Sequence, residues 1–155
     1  MNKLILIGRS GAGKTTLIQA LTGDSISYDK TQTVERREFL IDTPGEYAET
    51  KILGGALALY SYEADIVGLL IDANEPFSLF GPNIASMANR EVIGIVTGLT
   101  KKNADPDRAE RWLRLSGCKR IFRVDSLTGE GIDELKQFLT DYDPKAEFHK
   151  RFYGK

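Results

Sequence analysis

Eight residues, Gly8-Arg9-Ser10-Gly11-Ala12-Gly13-Lys14-Thr15, meet the pattern G-x-x-x-x-G-K-[ST] at every fixed position. They follow the apolar run Leu4 to Ile7 and precede a segment carrying Leu17, Ile18 and Leu21, the strand, turn and helix setting in which the pattern has a mechanism. Glycines let backbone N–H groups converge on phosphate oxygens, and the helix N-terminus adds partial positive charge. Lys14 is expected to reach the β- and γ-phosphates, and Thr15 to offer a hydroxyl to Mg²⁺. Phosphate contacts are therefore assigned to Gly8, Arg9, Ser10, Gly11, Ala12, Gly13, Lys14, Thr15 and Thr16. The plainer alternative is a glycine-rich strand-to-helix turn without a ligand; the placement argues against it.

The rest of the chain has the rhythm of an α/β protein. Leu4 to Ile7, Ile66 to Ile71, Val92 to Val96 and Ile121 to Val124 are apolar at nearly every position, as strands covered on both faces are. Helices are expected over Lys14 to Leu21, Glu49 to Tyr62, Ile84 to Asn89, Asp107 to Leu115 and Asp133 to Leu139, which favours a parallel sheet with right-handed crossovers. A fifth strand, Glu38 to Ile41, ends at Asp42-Thr43-Pro44-Gly45, where proline and glycine turn the chain. Asp42 is a candidate carboxylate for a magnesium shell, and the Gly45 N–H a candidate sensor of a γ-phosphate.

Length and charge narrow the function. The chain has 155 residues, 41% of them hydrophobic, enough for one compact domain. Residues 1–141 are assigned to it and 142–155 to a C-terminal tail, separated at Asp141-Tyr142-Asp143-Pro144. Lysine plus arginine total 21 against 22 acidic residues, a net charge of −1, without the basic excess of a nucleic-acid binder. The apolar runs are far short of the about 20 residues needed to cross a bilayer, and the N-terminus lacks the apolar core of a secretory signal. A cytoplasmic location follows as the expectation. Cys118 is the only cysteine, so no internal disulfide or cysteine-based metal site can form; it reads as a small buried residue at a strand start.

The phosphate loop, then Lys30-Thr31-Gln32, then Ile41-Asp42-Thr43-Pro44-Gly45-Glu46-Tyr47 together resemble the GTPase-like P-loop proteins, and more narrowly the ethanolamine and propanediol utilization family of EutP/PduV type. The resemblance runs from about Asn2 to Leu139. It implies a three-layer P-loop fold, Mg²⁺ with GTP or ATP as cofactor, and Thr31 as a first-switch contact to Mg²⁺ or the γ-phosphate, with Thr33 the fallback. Metal ligation is thus assigned to Thr15, Thr31 and Asp42. Only eight residues, Val34 to Ile41, separate Thr33 from Asp42, too few for two full strands of about five residues and a turn. The sheet is accordingly expected to hold about five mostly parallel strands with helices on both faces, its antiparallel switch strand missing or vestigial.

The resemblance weakens at the base site. Such proteins read guanine with Asn/Thr-Lys-x-Asp after a strand, but this chain gives Thr97-Gly98-Leu99-Thr100, with glycine for the lysine and threonine for the aspartate. A slip to Thr100-Lys101-Lys102-Asn103 restores a lysine and ranks second. Asp125-Ser126-Leu127-Thr128-Gly129-Glu130-Gly131 resembles the second base loop, with Asp125 at a position usually small or hydroxylated. Asp125 reads as a cap of the following turn, with a relocated base-reading carboxylate as the alternative. Base contacts are assigned to Thr97, Leu99, Thr100, Ser126 and Leu127. Loss of a matched polar partner puts strict GTP specificity in doubt.

Lys14 and Glu46 are the catalytic candidates, Glu46 as a group that orients water; a solvent-exposed acid on a loop is its bland alternative. No arginine is fixed by motif as a finger, so unassisted turnover should be slow. Three readings result. The preferred one is a slow Mg-dependent GTPase or ATPase, a switch or assembly factor in ethanolamine or propanediol utilization and associated with a bacterial microcompartment, as the resemblance implies. The others are an ATP-using acyl or acetate kinase, and a non-catalytic module docking on the microcompartment shell or its pathway enzymes. Phe148 and Phe152, four apart in the tail, can share a helical face for docking or tuck against the core.

Overall fold

Side chains alternate faces along a strand, and β1 (Leu4–Ile7) uses both faces for core. Ile5 and Ile7 enter one apolar cluster, Leu4 and Leu6 another. The computed structural model describes residues 4–8, 13–22, 35–36, 40–42, 64–76, 78, 80, 82–88, 90–143 and 145. After β1 come α1 (Lys14–Thr22), β2 (Glu35–Arg36), β3 (Leu40–Asp42), β4 (Ile66–Asp72), a 3-10 turn (Ile84–Met87), β5 (Glu91–Thr97), α2 (Pro106–Leu115), β6 (Arg120–Arg123) and α3 (Ile132–Asp141).

The sheet order is β2-β3-β1-β4-β5-β6. β3, β1, β4, β5 and β6 pair in parallel, whereas β2 pairs antiparallel with β3 through Glu35↔Asp42 and Arg36↔Ile41. Among the described residues this antiparallel strand is two residues long, in keeping with the short spacing. On one sheet face α1 contributes Leu17, Ile18 and Leu21, and α3 contributes Ile132, Leu135 and Leu139. On the other, α2 contributes Ala109 and Leu113. These are the three layers of an α/β P-loop fold.

Local chemistry accounts for the helix ends. The Asp105 carboxylate accepts the Arg108 N–H at 3.1 Å, Pro106 opens α2, and Asp107 and Arg114 complement its dipole. The helix thus starts one residue before the expected Asp107. Arg123 on β6 ties to α2 through Asp107 at 2.7 Å and Glu110 at 3.3 Å. The Phe138 ring of α3 packs 5.4 Å from Phe122 and 5.5 Å from Tyr142, beneath the Arg120 guanidinium.

Three expectations need correction. The helix expected over Ile84 to Asn89 is a single 3-10 turn, because Asn83 enters it left-handed at φ 58 and Ala88 is already extended at ψ 143. β6 ends at Arg123 rather than Val124, although the Val124 N–H still donates to the Val96 carbonyl at 2.9 Å. Cys118 is buried in the turn between α2 and β6, ahead of the strand, where burial and the Glu91 charge push its thiol up to about 12. The expected helix over Glu49 to Tyr62, and Phe148 and Phe152 of the tail, lie outside the described residues. Among the described residues no helix is long and apolar enough to cross a membrane.

Candidate functional site

From β1 the sheet continues to β3 on one side and to β4 on the other. In open α/β sheets ligands bind outside the carboxyl ends of the strands at such a switch point. The G-x-x-x-x-G-K-T segment leaves β1 at that place. Buried Gly8 follows β1, and α1 starts at Lys14. Between them Gly13 adopts φ +91, a conformation glycine reaches without strain. A Cβ built on it would lie 3.8 Å from the Thr97 hydroxyl oxygen, so Gly13 sits close to the end of β5. The Gly13 carbonyl accepts the Leu17 N–H at 2.9 Å and locks the first turn of α1. Lys14 and Thr15 occupy that turn, and Thr16 is exposed.

Asp42 ends β3, opposite Leu6 in the parallel register. It is the last strand residue rather than the first of the turn. By residue type, a threonine in the first turn of α1 and an aspartate ending the strand beside β1 carry the hard oxygen donors that Mg²⁺ takes. Arg9, Ser10, Gly11, Ala12, Thr31, Gly45 and Glu46 lie outside the described residues.

The end of β5 departs from the expected base-reading segment for a steric reason. Thr97 is buried, and Gly98 turns left-handed at φ +67 with the Asp72 carboxylate against its Cα. A side chain at residue 98 would run into that carboxylate, so a lysine there has no room. Lys101 instead donates to Asp72 Oδ2, and Asp72 Oδ1 accepts the Asn74 N–H at 3.1 Å. Within the slipped segment, Lys101 is therefore engaged with β4, and exposed Asn103 turns left-handed at φ 63. Leu99 packs on the core cluster beneath α2.

Asp125 follows β6 at the same edge of the sheet and is 3% exposed. Its Oδ1 accepts the N–H groups of Leu127 at 2.9 Å and Thr128 at 3.2 Å, and its Oδ2 accepts the Thr100 hydroxyl at 2.8 Å. Burial pushes this carboxyl up, but the Thr100 hydroxyl and the backbone donors outweigh it and hold it below its ordinary range. The loop is closed further by Asp125 N–H to the Glu130 carbonyl and Gly129 N–H to the Asp125 carbonyl, each 2.8 Å. Ser126 is half-buried on it, and Leu127 projects with 86% exposure.

Thus Gly13, Thr97, Gly98 and Asp72 meet at one end of the sheet, and Thr100 and Asp125 join the two candidate base loops. Asp72 was missing from the residues singled out by sequence. The available signal was an acid ending an otherwise apolar strand, which burial obliges to find a partner. Arg108 was also missing; its guanidinium donates to the Glu75 carbonyl at 2.9 Å and lies 5.0 Å over the Trp112 ring.

The family model described as ethanolamine utilisation and propanediol utilisation matches residues 1–141. The chain belongs to this family. Within this ethanolamine and propanediol utilisation group, the chain is 40% identical over 142 residues to the propanediol utilization protein PduV of Citrobacter freundii, covering 90% of this chain and 93% of that protein. It is 27% identical over 150 residues to the probable acetate kinase EutP of Escherichia coli K12, covering 95% and 94%. A solved structure of a probable GTP-binding protein, EngB, superposes with a TM-score of 0.66 at 18% identity, covering 90% of this chain and 97% of the other. That likeness is one of fold.

Proposed function

We propose that this protein binds a Mg²⁺ nucleoside triphosphate and serves as a slow GTPase-like or ATPase-like switch or assembly factor in ethanolamine or propanediol utilization. One observation carries the reading: the G-x-x-x-x-G-K-T segment leaves β1 at the switch point of the sheet, with Asp42 ending the adjacent parallel strand. In this reading residues 1–141 are the nucleotide-binding unit and 142–155 a tail that contacts microcompartment components, in the cytoplasm.

Backbone N–H groups from Gly8 through Gly13, with Arg9, Ser10, Gly11 and Ala12 between, cradle the phosphates. Lys14 neutralises charge on the β- and γ-phosphates, with Thr16 beside them. Thr15, Asp42 and Thr31 hold Mg²⁺, which when bound offsets the charge that develops on the phosphate oxygens. The Gly45 N–H contacts the γ-phosphate and Glu46 orients the attacking water. Thr97, Leu99, Thr100, Ser126 and Leu127 enclose the base. Without an arginine fixed by motif, turnover is slow.

The test is Mg²⁺-dependent binding of labelled triphosphate to wild type and to Lys14→Ala. The reading predicts saturable binding to the first and a loss of at least about a hundredfold in the second, an effect of about 2.7 kcal/mol. Equal affinity of the two would refute it.

A second reading rests on the full-length likeness to a probable acetate kinase. In that reaction the bond from the γ-phosphorus to its bridging oxygen breaks, a new bond forms to an acetate oxygen, and ADP leaves. ADP release that requires acetate, with acetyl phosphate formed in equal amount, would select it over the switch.

A further inference from the structure

The two base loops are joined by the side chains of Thr100 and Asp125, and the carboxylate is buried and engaged within that joint. Each carboxylate oxygen offers two lone-pair sites. Asp125 Oδ1 fills both of its own with the Leu127 and Thr128 N–H groups. Oδ2 takes the Thr100 hydroxyl at 2.8 Å. At 3% exposure the carboxylate also faces protein rather than a pocket. The single Thr100 hydroxyl proton is spent in that bond, so this hydroxyl can only accept. On the other side of the loop, Lys101 is committed to Asp72 and residue 98 has no room for a side chain.

Guanine carries an O6 acceptor and an N2–H₂ donor where adenine carries an N6–H₂ donor. A site that separates them strongly does so with a built polar partner that the wrong base leaves unpaired. What the loops leave for a base among the assigned contacts is the apolar Leu127 side chain, 86% exposed, the Thr100 hydroxyl as an acceptor, and the Ser126 hydroxyl, which donates or accepts and so suits either purine.

We infer that the Thr100 to Asp125 hydrogen bond sets the specificity of the site, clamping the two base loops together while keeping the carboxylate buried and turned to the loops, so that guanine and adenine triphosphates are accepted alike. The inference rests on the nucleotide-binding reading above and goes beyond it by naming the ligand class as purine nucleoside triphosphates without base selection. Thr100 and Asp125 act together as the specificity-determining pair.

The experiment is competition between GTP and ATP, both with Mg²⁺, on wild type, on the exchange variant Thr100→Asp/Asp125→Ser, and on Asp125→Asn. Wild type is expected to bind the two within about threefold of each other, below the discrimination that a matched polar partner provides. The exchange variant moves the carboxylate to residue 100 and leaves a hydroxyl at 125 that can still cap the turn; its preference should swing to GTP by about tenfold or more. Asp125→Asn, which keeps an oxygen acceptor for the turn, should weaken both nucleotides in equal proportion and serves if the exchange variant does not fold. A wild-type preference above about tenfold for either base, an exchange variant that folds yet keeps the wild-type ratio, or an Asp125→Asn variant that loses GTP alone would each overturn the inference while leaving nucleotide binding intact. Wild type that binds neither triphosphate would overturn the nucleotide reading and this inference with it.

Discussion

At Gly98 the backbone leaves β5 with φ +67, and the Asp72 carboxylate stands where a side chain would begin. Gly98→Ala should therefore destabilise the fold by about 1–3 kcal/mol, through left-handed strain and displacement of the Lys101 pair, measurable as a lower urea midpoint with unchanged slope. Glycine in a lysine position looked in sequence like a lost function; the structure shows a backbone requirement, which depends on an aspartate 26 residues earlier. Asp125 was more legible, since an acid opening a Thr-Gly-Glu-Gly turn caps it. Its bond to Thr100 was not, because 25 residues separate the partners. The Asp125 carboxyl has a folded value below its unfolded one, so its contribution to stability is complete above the unfolded value and is lost as pH falls through the folded one. Acid titration of stability should accordingly lose part of its steepness in Asp125→Asn. Cys118 has the opposite linkage: its thiol is raised from 9.0 to about 12 in the fold. The native protein should resist thiol reagents near pH 8, with labelling appearing only on unfolding, and fast labelling of the native chain would contradict the burial.

Among the elements, β1, β4 and β5 were readable because strands covered on both faces leave few polar positions, and their expected limits fall within a residue of those observed. The segment at Ile84 misled because its apolar pattern spans a single turn, too short for periodicity to separate an α-helix from a 3-10 turn. The two described residues of β2 agree with the spacing, since a chain of that length is too short for two full strands and a turn before Asp42. α2 depends on its cap more than on propensity: Asp105→Ala should cost about 1 kcal/mol. The exposed ties of Arg123 to Asp107 and Glu110 should matter less, about 0–1 kcal/mol each. Chemical denaturation of Asp105→Ala and Arg123→Ala should rank them in that order, and the reverse ranking would show that the ion pairs rather than the cap hold α2 on β6.

Over the whole molecule, the strand order turns a local motif into a site. β1 lies inside the sheet, so its loop opens where the crossovers diverge, and Asp42, Asp72, Thr97 and Asp125 reach the same edge because β3, β4, β5 and β6, which bring them there, run parallel with β1. The motif and the α/β rhythm were legible in sequence because they are local. The closure of the base loops was not, because it arises from strands β4, β5 and β6 lying side by side. The proposed switch requires a triphosphate at that edge. Isothermal titration of the full chain with ATP and with GTP, each with and without Mg²⁺, tests this most directly. One site per chain is predicted for both nucleotides, with affinity that falls when Mg²⁺ is withdrawn; no saturable binding of either triphosphate in the presence of Mg²⁺ would contradict it.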